Sequence, residues 1–524
     1  METFGTVTLL MAGAVGLAFA ARWLRLPYAV ALVLAGMVLA VTPGVPPLRL
    51  DPKLAMAFFL PPLLQASAFF TPLRDFSRNL RPILMLALGL VGFTTVLVGW
   101  TTKQFFPELP WAVCFAFGAL IAPPDAAAAS AVMSAVAVPR RVITILEGES
   151  LLNDASGLVL YNFAVAAVAT GAFSAWGAAA SFGFLAAGGL LIGWATGRLA
   201  SFVAARLNDP VLEITVSFLA AFGSFAGAEA VHASGVLATV MCGLTVAWHA
   251  PEWMSPRTRV DAKAVWDFAV FVLNSLVFTL IGLELRGIIA EGDGAIEWHV
   301  VGHGLLIALV LIVSRFVWVF PMAYGYRLLL PKVRAKDPYP GWRNVAVVSW
   351  AGMRGVVSLA AALGIPNDVP GRDTVLLLTF TCILVTLVLQ GTTLGPLAGA
   401  LKLGRDTPRP KADAQLRRRL ADAAVDHLSA LHEDAMVGPF ARDLTPFYAA
   451  QAAGERLREV NPAAAGVERT TLLTLRLQAL AAQRALLLQL YRAREIDDHA
   501  ARLLETELDL EELRLNQLRE GHAA

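Results

Sequence analysis

Three carboxylates, Glu147, Glu149 and Asp154, lie close together inside an apolar stretch, 142–169, that carries no Lys or Arg. Placing one charged side chain near the centre of a lipid bilayer costs about 2.5–3.5 kcal/mol on insertion scales. Ionisable residues at such depth mark paths for ions or protons by default. These three side chains therefore predict chemistry with a cation or a proton inside a membrane.

Helical spacing sorts these residues by direction. Ser150 and Asp154 are four residues apart and share a face, and Glu147 lies on that face two turns nearer the start of the segment. Glu149 points to a different side, so we expect it to be a structural partner of a buried arginine, which we assign to Arg354. Glu147 either lines an inner entrance or faces water at the membrane boundary.

Two other apolar segments are predicted to be interrupted helices. In the first, Pro123 and Pro124 precede Asp125 and remove backbone donors that a helix needs. In the second, the stretch 350–355 contains two glycines around its single arginine. Broken helices in corresponding halves of a transporter are the best sequence indication of its binding site.

Four charged residues share one predicted depth. Asp125, Asp154, Arg315 and Arg354 each lie eleven to fourteen residues from the end of an apolar segment, which is roughly 16–21 Å along a helix. In a hydrocarbon core about 30 Å thick, these positions fall near the middle, where a transport site would need them. The alternative is that they form structural salt bridges that hold the bundle together.

The helices that must position these residues are numerous and apolar. Of the 524 residues 57% are hydrophobic and 16% charged, which excludes an ordinary soluble protein. We predict an all-α polytopic membrane protein with thirteen transmembrane helices, in which spans one to six and eight to thirteen form two inverted repeats whose broken helices cross at mid-membrane. The predicted spans are 4–21, 27–43, 54–72, 82–102, 111–138, 142–169, 180–203, 211–229, 231–248, 264–285, 298–326, 343–364 and 374–400.

The positive charges of the loops predict the orientation of the chain. With the N-terminus outside, the inward loops hold seventeen Lys and Arg residues and the outward loops hold five, as the positive-inside rule requires. The chain then divides into a transmembrane domain, 1–401, and a charged cytoplasmic helical domain, 402–524. This tail either packs on itself as a solvated domain or regulates the membrane domain.

The sequence favours neither an enzyme nor a nucleic-acid-binding protein. No nucleotide, nucleophile or metal motif is present, and the three cysteines fit no metal spacing. We therefore expect no cofactor. A passive cation channel would need a continuous polar stripe or a filter of carbonyl groups, and neither is evident. A sensor or scaffold would leave the charged core without a role.

Several motifs, in the right order along residues 5–400, resemble the NhaP/NHE-type sodium/proton antiporters. The first matches the sixth-span signature of that family. The motifs are Gly148-Glu149-Ser150-Leu151-Leu152-Asn153-Asp154-Ala155-Ser156-Gly157, Leu60-Pro61-Pro62-Leu63-Leu64, Pro123-Pro124-Asp125, Leu273-Asn274-Ser275-Leu276-Val277-Phe278, Ile281-Gly282-Leu283, Arg315-Phe316-Val317-Trp318-Val319-Phe320-Pro321 and Trp350-Ala351-Gly352-Met353-Arg354-Gly355.

The resemblance implies a homodimer with alternating access. It also implies that Asp154 binds the cation and the proton in turn, with Asp125 as its acidic partner. Asn153 would hydrogen-bond across the site and Ser150 would help to ligate the cation. Glu149 and Arg354 would form the buried pair. The chain departs from many relatives in two places, since Pro124 replaces a threonine and Gln65-Ala66-Ser67 stands where a glutamate is common.

These residues predict exchange of Na⁺ or Li⁺ for H⁺ across the cell membrane, the inner membrane of a bacterium, in the service of pH homeostasis. Electrogenic relatives carry a second aspartate where this chain has Asn153, which cannot titrate. We therefore expect electroneutral, one-for-one exchange at Asp154. A K⁺/H⁺ antiporter of the same fold is the nearest alternative.

Overall fold

The computed structural model describes residues 27–42, 52–125, 138–170, 175–291, 297–329, 339–366, 368–403, 410–434, 436–460, 462–493 and 507–516, with isolated positions 16, 129, 133, 335, 337, 504 and 518. Every regular element in these ranges is a helix. The all-α prediction is therefore confirmed. The predicted first span, 4–21, lies outside the described residues except for Gly16.

The chain forms two compact units, Met1–Gly404 and Arg405–Ala524. Two π-helical segments, Met85–Leu90 and Thr386–Gln390, continue the helices that precede them in the first unit. The described helices of that unit are α1 (Tyr28–Val41), α2 (Pro52–Phe70), α3 (Leu73–Arg78), α4 (Leu80–Leu84), α5 (Val91–Phe105), α6 (Trp111–Ile121), α7 (Arg140–Thr170), α8 (Ala175–Ala204), α9 (Pro210–Ala230), α10 (Gly235–Trp253), α11 (Pro256–Glu291), α12 (Trp298–Leu329), α13 (Trp342–Trp350), α14 (Val356–Leu363), α15 (Arg372–Val385) and α16 (Gly391–Ala400).

Seven helical stretches among the described residues are long and apolar enough to cross a membrane. Shorter apolar helices occur at Tyr28–Val41, Met56–Phe70 and Trp111–Ile121. The count of thirteen spans and the inverted repeats stay predictions. The seven stretches are Leu80–Phe105, Arg140–Val168, Gly183–Ala204, Pro210–Ala230, Pro256–Ile288, Trp298–Leu329 and Arg372–Ala400.

Close backbone packing brings α1 against α11. A Cβ built on Gly36 would collide with the carbonyl oxygen of Thr279, and one built on Gly282 would collide with that of Val33. Small residues permit such approach between membrane helices, where van der Waals packing replaces the hydrophobic effect as the driving force. This contact holds the middle of α1 against the C-terminal half of α11.

The second unit is built from charged helices. Its described helices are α17 (Pro410–Ala430), α18 (Gly438–Val460) and α19 (Pro462–Arg492), and residues 507–516 are helical as well. Asp434 accepts hydrogen bonds from the amides of Met436 and Val437 in the turn between α17 and α18. Arg456 of α18 pairs with Asp422 of α17 at 3.4 Å. The cytoplasmic location of this unit remains a prediction.

Candidate functional site

Two interrupted helices meet backbone to backbone. Helix α6 ends at Ile121, and a non-helical stretch, 351–355, separates α13 from α14. The amide of Asp125 donates to the carbonyl of Met353 at 2.7 Å. Arg354 Nε donates to the carbonyl of Ile121, so a side chain from one interruption satisfies the helix end at the other.

A glycine makes this crossing possible. A Cβ added to Gly355 would overlap the carboxylate of Asp125. The Oγ of Ser358, in the first turn of α14, donates to the carbonyl of Leu120 at 2.8 Å. The non-helical stretch 351–355 and the start of α14 therefore pack closely against the end of α6 and against Asp125.

Helix α7 passes beside the crossing and is fastened to it. Asn153 Nδ2 donates to the carbonyl of Pro124 at 2.9 Å, and a Cβ on Gly157 would collide with the ring of Pro123. Asn153 is fully buried, and its Oδ1 has no hydrogen-bond partner among the described residues. A buried acceptor without a partner is costly, so this oxygen is available to a bound ion or water.

The carboxylates of Asp125 and Asp154 line one cavity of about 400 Å³. Glu147 and Ser150 line the same cavity from α7, as their spacing relative to Asp154 predicts. Asp154 is buried, with 8% of its surface exposed. The cavity thus brings four oxygen-bearing side chains together within a lining that is otherwise mostly apolar.

Glu149 faces away from this cavity and pairs with an arginine, but the arginine is Arg315. Its two guanidinium nitrogens donate to the two carboxylate oxygens at 2.6 Å each, and its Nε donates to the carbonyl of Val348 at 2.9 Å. Both side chains are almost completely buried. The bidentate geometry is the strong form of this interaction.

The expected pairing of Glu149 with Arg354 is therefore corrected. The guanidinium of Arg354 is taken up by the carbonyls of Ile121 and Gly352, which the two interruptions leave without helical donors. Arg315 packs over Gly352, where a Cβ would approach its Cδ to 2.8 Å. Sequence spacing gives the depth of each arginine but not its direction around its own helix, so it could not choose between them.

Helices α1 and α11 contribute cavity residues that the sequence did not single out as site residues. Tyr28 of α1 and Asn274 of α11 both line the cavity. Lys263 and Asp267 line it further along α11. Asn274 belongs to one of the motifs that resemble the family, so the sequence could have indicated it as a site residue. Lys263 and Asp267, nearer the start of α11, belong to no such motif.

The arrangement suits a monovalent cation or a proton better than a metal cofactor. No cluster of three or more His, Cys, Asp or Glu side chains that could hold a metal ion occurs among the described residues. The carboxylates of Asp125 and Asp154 and the hydroxyl of Ser150 on this cavity offer weak, oxygen-only ligation of the kind that hard cations prefer. A carboxylate can also hold a proton, so the same group can serve both.

Comparison with known proteins identifies the family. The family described as "Sodium/hydrogen exchanger, transmembrane" matches residues 7–400. An uncharacterised Na⁺/H⁺ exchanger of Mycobacterium tuberculosis is 32% identical over 523 residues, covering 97% of this chain and 95% of that protein. The Na⁺/H⁺ antiporter NhaH of Halobacillus dabanensis is 33% identical over 412 residues, covering 76% of this chain and 97% of its own.

A solved structure shares the fold. The sodium proton antiporter MjNhaP1 from Methanocaldococcus jannaschii superposes with a TM-score of 0.59 at 20% sequence identity, covering 76% of this chain and 99% of that one. The fold match, the apolar helices and the family match across most of the chain agree. The chain therefore belongs to the sodium/hydrogen exchanger family, whose members are membrane transporters and not enzymes.

Proposed function

We propose that this chain exchanges Na⁺ or Li⁺ for H⁺ across the cell membrane, with Asp154 as the group that holds the cation and the proton in turn. The observation that carries the proposal is the position of Asp154 and Asp125 on one cavity at the crossing of two interrupted helices. Desolvation favours the neutral form of a carboxyl group. Cation and proton can therefore compete for one buried aspartate.

The side chains around Asp154 have separate roles in this proposal. Asp125 adds negative charge beside the cation, and Ser150 on the same cavity supplies a neutral oxygen ligand. The Oδ1 of Asn153, which is buried without a hydrogen-bond partner next to Asp154 in the chain, is a further candidate ligand. The amide hydrogens of Asn153 keep α7 in register with the first interruption through Pro124. The Glu149–Arg315 pair holds α7 to α12 away from the cavity and takes no part in binding.

Charge counting favours electroneutral exchange. Asn153 cannot take up or release a proton, so Asp154 is the residue that changes partner. With one Na⁺ or one H⁺ on Asp154, the loaded site has the same charge in both states. One cation then crosses for one proton, and membrane voltage does not drive the cycle.

The cavity supplies the access route for one half of the cycle. It extends from buried Asp154 to Lys263 and Asp267, whose side chains are more than half exposed. Loop charge predicts that this end faces the cytoplasm. The opposite access state would arise by movement of the crossing and its helices relative to the rest of a homodimer in the bilayer, with the N-terminus outside and the tail inside.

Exchange of K⁺ for H⁺ is the second candidate. A relative from Bacillus pumilus, 34% identical over 374 residues, is named a sodium, potassium, lithium and rubidium/H⁺ antiporter, and the chain spans 55% of its length. Pro124 offers no hydroxyl ligand where many relatives have threonine, which weakens the expectation of strict selectivity for a small cation. The large cavity is compatible with either ion.

Proteoliposomes with an internal pH dye test both candidates. Na⁺, Li⁺ and K⁺ are added in turn, with and without a clamped membrane voltage, to wild type and to Asp154→Asn. Cation-driven proton movement that the variant lacks and voltage does not change supports the proposal, and the ranking of ions names the substrate. Absence of flux with all three ions in folded wild-type protein would refute it.

A further inference from the structure

The cavity that leads to Asp154 contains an unexpected charge. Four carboxylates line it, those of Asp125, Glu147, Asp154 and Asp267, and Lys263 is the one basic side chain among the described residues of its lining. A fixed ammonium group on the access route of a cation opposes entry, because like charges repel. The position of the Lys263 ammonium group on this cavity therefore needs a functional explanation.

Lys263 is held at the exposed end of the cavity. Its Nζ lies 2.7 Å from a carboxylate oxygen of Asp267, one helical turn along α11. It also lies 5.1 Å from the centre of the Phe70 ring on α2, a cation–π contact. Eleven residues separate Lys263 from Asn274, so the ammonium group lies roughly 16 Å along the helix from the depth of the site.

Trp266 lies between Lys263 and Asp267 in the sequence and anchors the helical turn of α11 that carries them. Trp266 is buried, donates through Nε1 to Ser217 Oγ at 3.2 Å, and stacks on Phe218 with ring centroids 3.8 Å apart. The backbone that carries Lys263 and Asp267 is therefore anchored to α9. Their side chains, 59% and 60% exposed, remain in water, where such a pair is weak and another cation can replace one partner.

We propose that Lys263 is a tethered competitor for the transported cation, and that Asp267 is the first carboxylate the cation meets on its way to Asp154. In the resting cavity the ammonium group occupies Asp267. An incoming Na⁺ displaces it, and the ammonium returns when the ion moves inward. Lys263 thereby sets the cation concentration at which this side of the transporter fills. The inference rests on the proposed antiport function.

The test uses the full-length protein in liposomes, with the cation KM measured separately from each side. At low ionic strength we expect Lys263→Gln to lower the KM on the cavity side by about two- to fivefold, with the maximal rate unchanged. Asp267→Asn should raise it. The double variant restores the net charge of the pair and should return close to the wild-type KM. Added choline chloride should shrink each difference, because salt screens exposed charges.

A matched control lies on the same helix. Arg257 and Asp261 form another exposed pair at the same four-residue spacing, 3.6 Å apart, and neither lines the cavity. Arg257→Gln should leave the KM unchanged on both sides. An unchanged KM in Lys263→Gln at low ionic strength, or an equal shift in Arg257→Gln, overturns the inference. Wild-type flux measured in the same liposomes tests the antiport function independently.

Discussion

The backbone amide of Asp125 donates to the carbonyl of Met353, 228 positions later in the chain, at 2.7 Å. This bond joins the two interrupted helices directly, without a side chain between them. It places the carboxylate of Asp125 at the crossing and on the cavity that also reaches Asp154. The position of one candidate ligand therefore depends on the backbone of a distant segment.

Asp154→Asn should abolish cation/proton exchange without unfolding the protein. The amide is nearly isosteric with the carboxyl group but cannot take up or release a proton, so it cannot alternate between two loads. We expect flux at the level of protein-free liposomes, with an unchanged elution profile and melting temperature. Retained exchange in this variant would exclude Asp154 as the exchanging group.

Asp125→Asn should slow exchange by about tenfold or more, equivalent to roughly 1.4 kcal/mol of lost interaction. The change removes negative charge beside the cation, while the backbone bond from residue 125 to Met353 needs no side chain. Initial rates and the cation KM in proteoliposomes measure the effect. An unchanged rate and KM would mean that Asp125 has a structural role only.

Gly355→Ala should severely reduce exchange, because its methyl group would occupy the space of the Asp125 carboxylate. Gly341, which precedes α13, is the matched control, since a Cβ there meets no atom within 4 Å. Gly341→Ala should keep wild-type flux. Equal flux in both variants would show that the crossing tolerates displacement of Asp125.

Arg315→Ala should destabilise the fold by about 3–5 kcal/mol, because it leaves Glu149 buried without its partner. A double change to neutral residues of similar volume, Glu149→Gln with Arg315→Met, should recover most of that loss. Thermal unfolding in detergent measures both. If Arg315→Ala unfolded at the wild-type temperature, the Glu149–Arg315 pair would not contribute to the stability of the fold.

Asp337 should give the protein an acid-sensitive stability. Partial burial opposes its ionisation, but the hydrogen bonds and charges of Arg141 and Arg327 outweigh this and hold the pKa of its carboxyl below the usual value. The stabilisation is thus fully present above the unfolded-state pKa, about 3.9, and is lost as pH falls through the lower folded-state pKa. Melting temperatures between pH 6 and pH 3 should fall less steeply in Asp337→Asn.

Sequence patterns predicted the interruption of helices at Pro123-Pro124 and at 350–355, since proline and glycine have local backbone effects. They also predicted which residues of α7 share a face, because spacing within one helix fixes relative direction. Contacts between residues on different helices were harder to predict from the sequence. Arg315 and Arg354 have similar depth and charge, and the choice between them depends on helix rotation and on which carbonyls lack donors.

The residues at the cavity mouth escaped prediction for a different reason. Lys263 and Asp267 form an ordinary exposed pair at helical spacing, and such pairs occur on many solvated helix faces. Only the packing of α11 against α2 and α9 places this turn on the cavity. Loop charge could count Lys263 as an inward-facing residue but could not place it on the cavity that also reaches Asp154.

The ion pairs that connect α7 and α12 restrict how these two helices can move relative to each other. The Glu149–Arg315 pair joins these helices in their buried middle, and Asp337 bridges Arg141 and Arg327 at their ends. Two attachment points at different heights resist both tilt and sliding. Spin labels on α7 and α12 should keep one narrow distance distribution throughout the transport cycle, whereas a label pair on α7 and α11, which both contribute residues to the cavity, should show two.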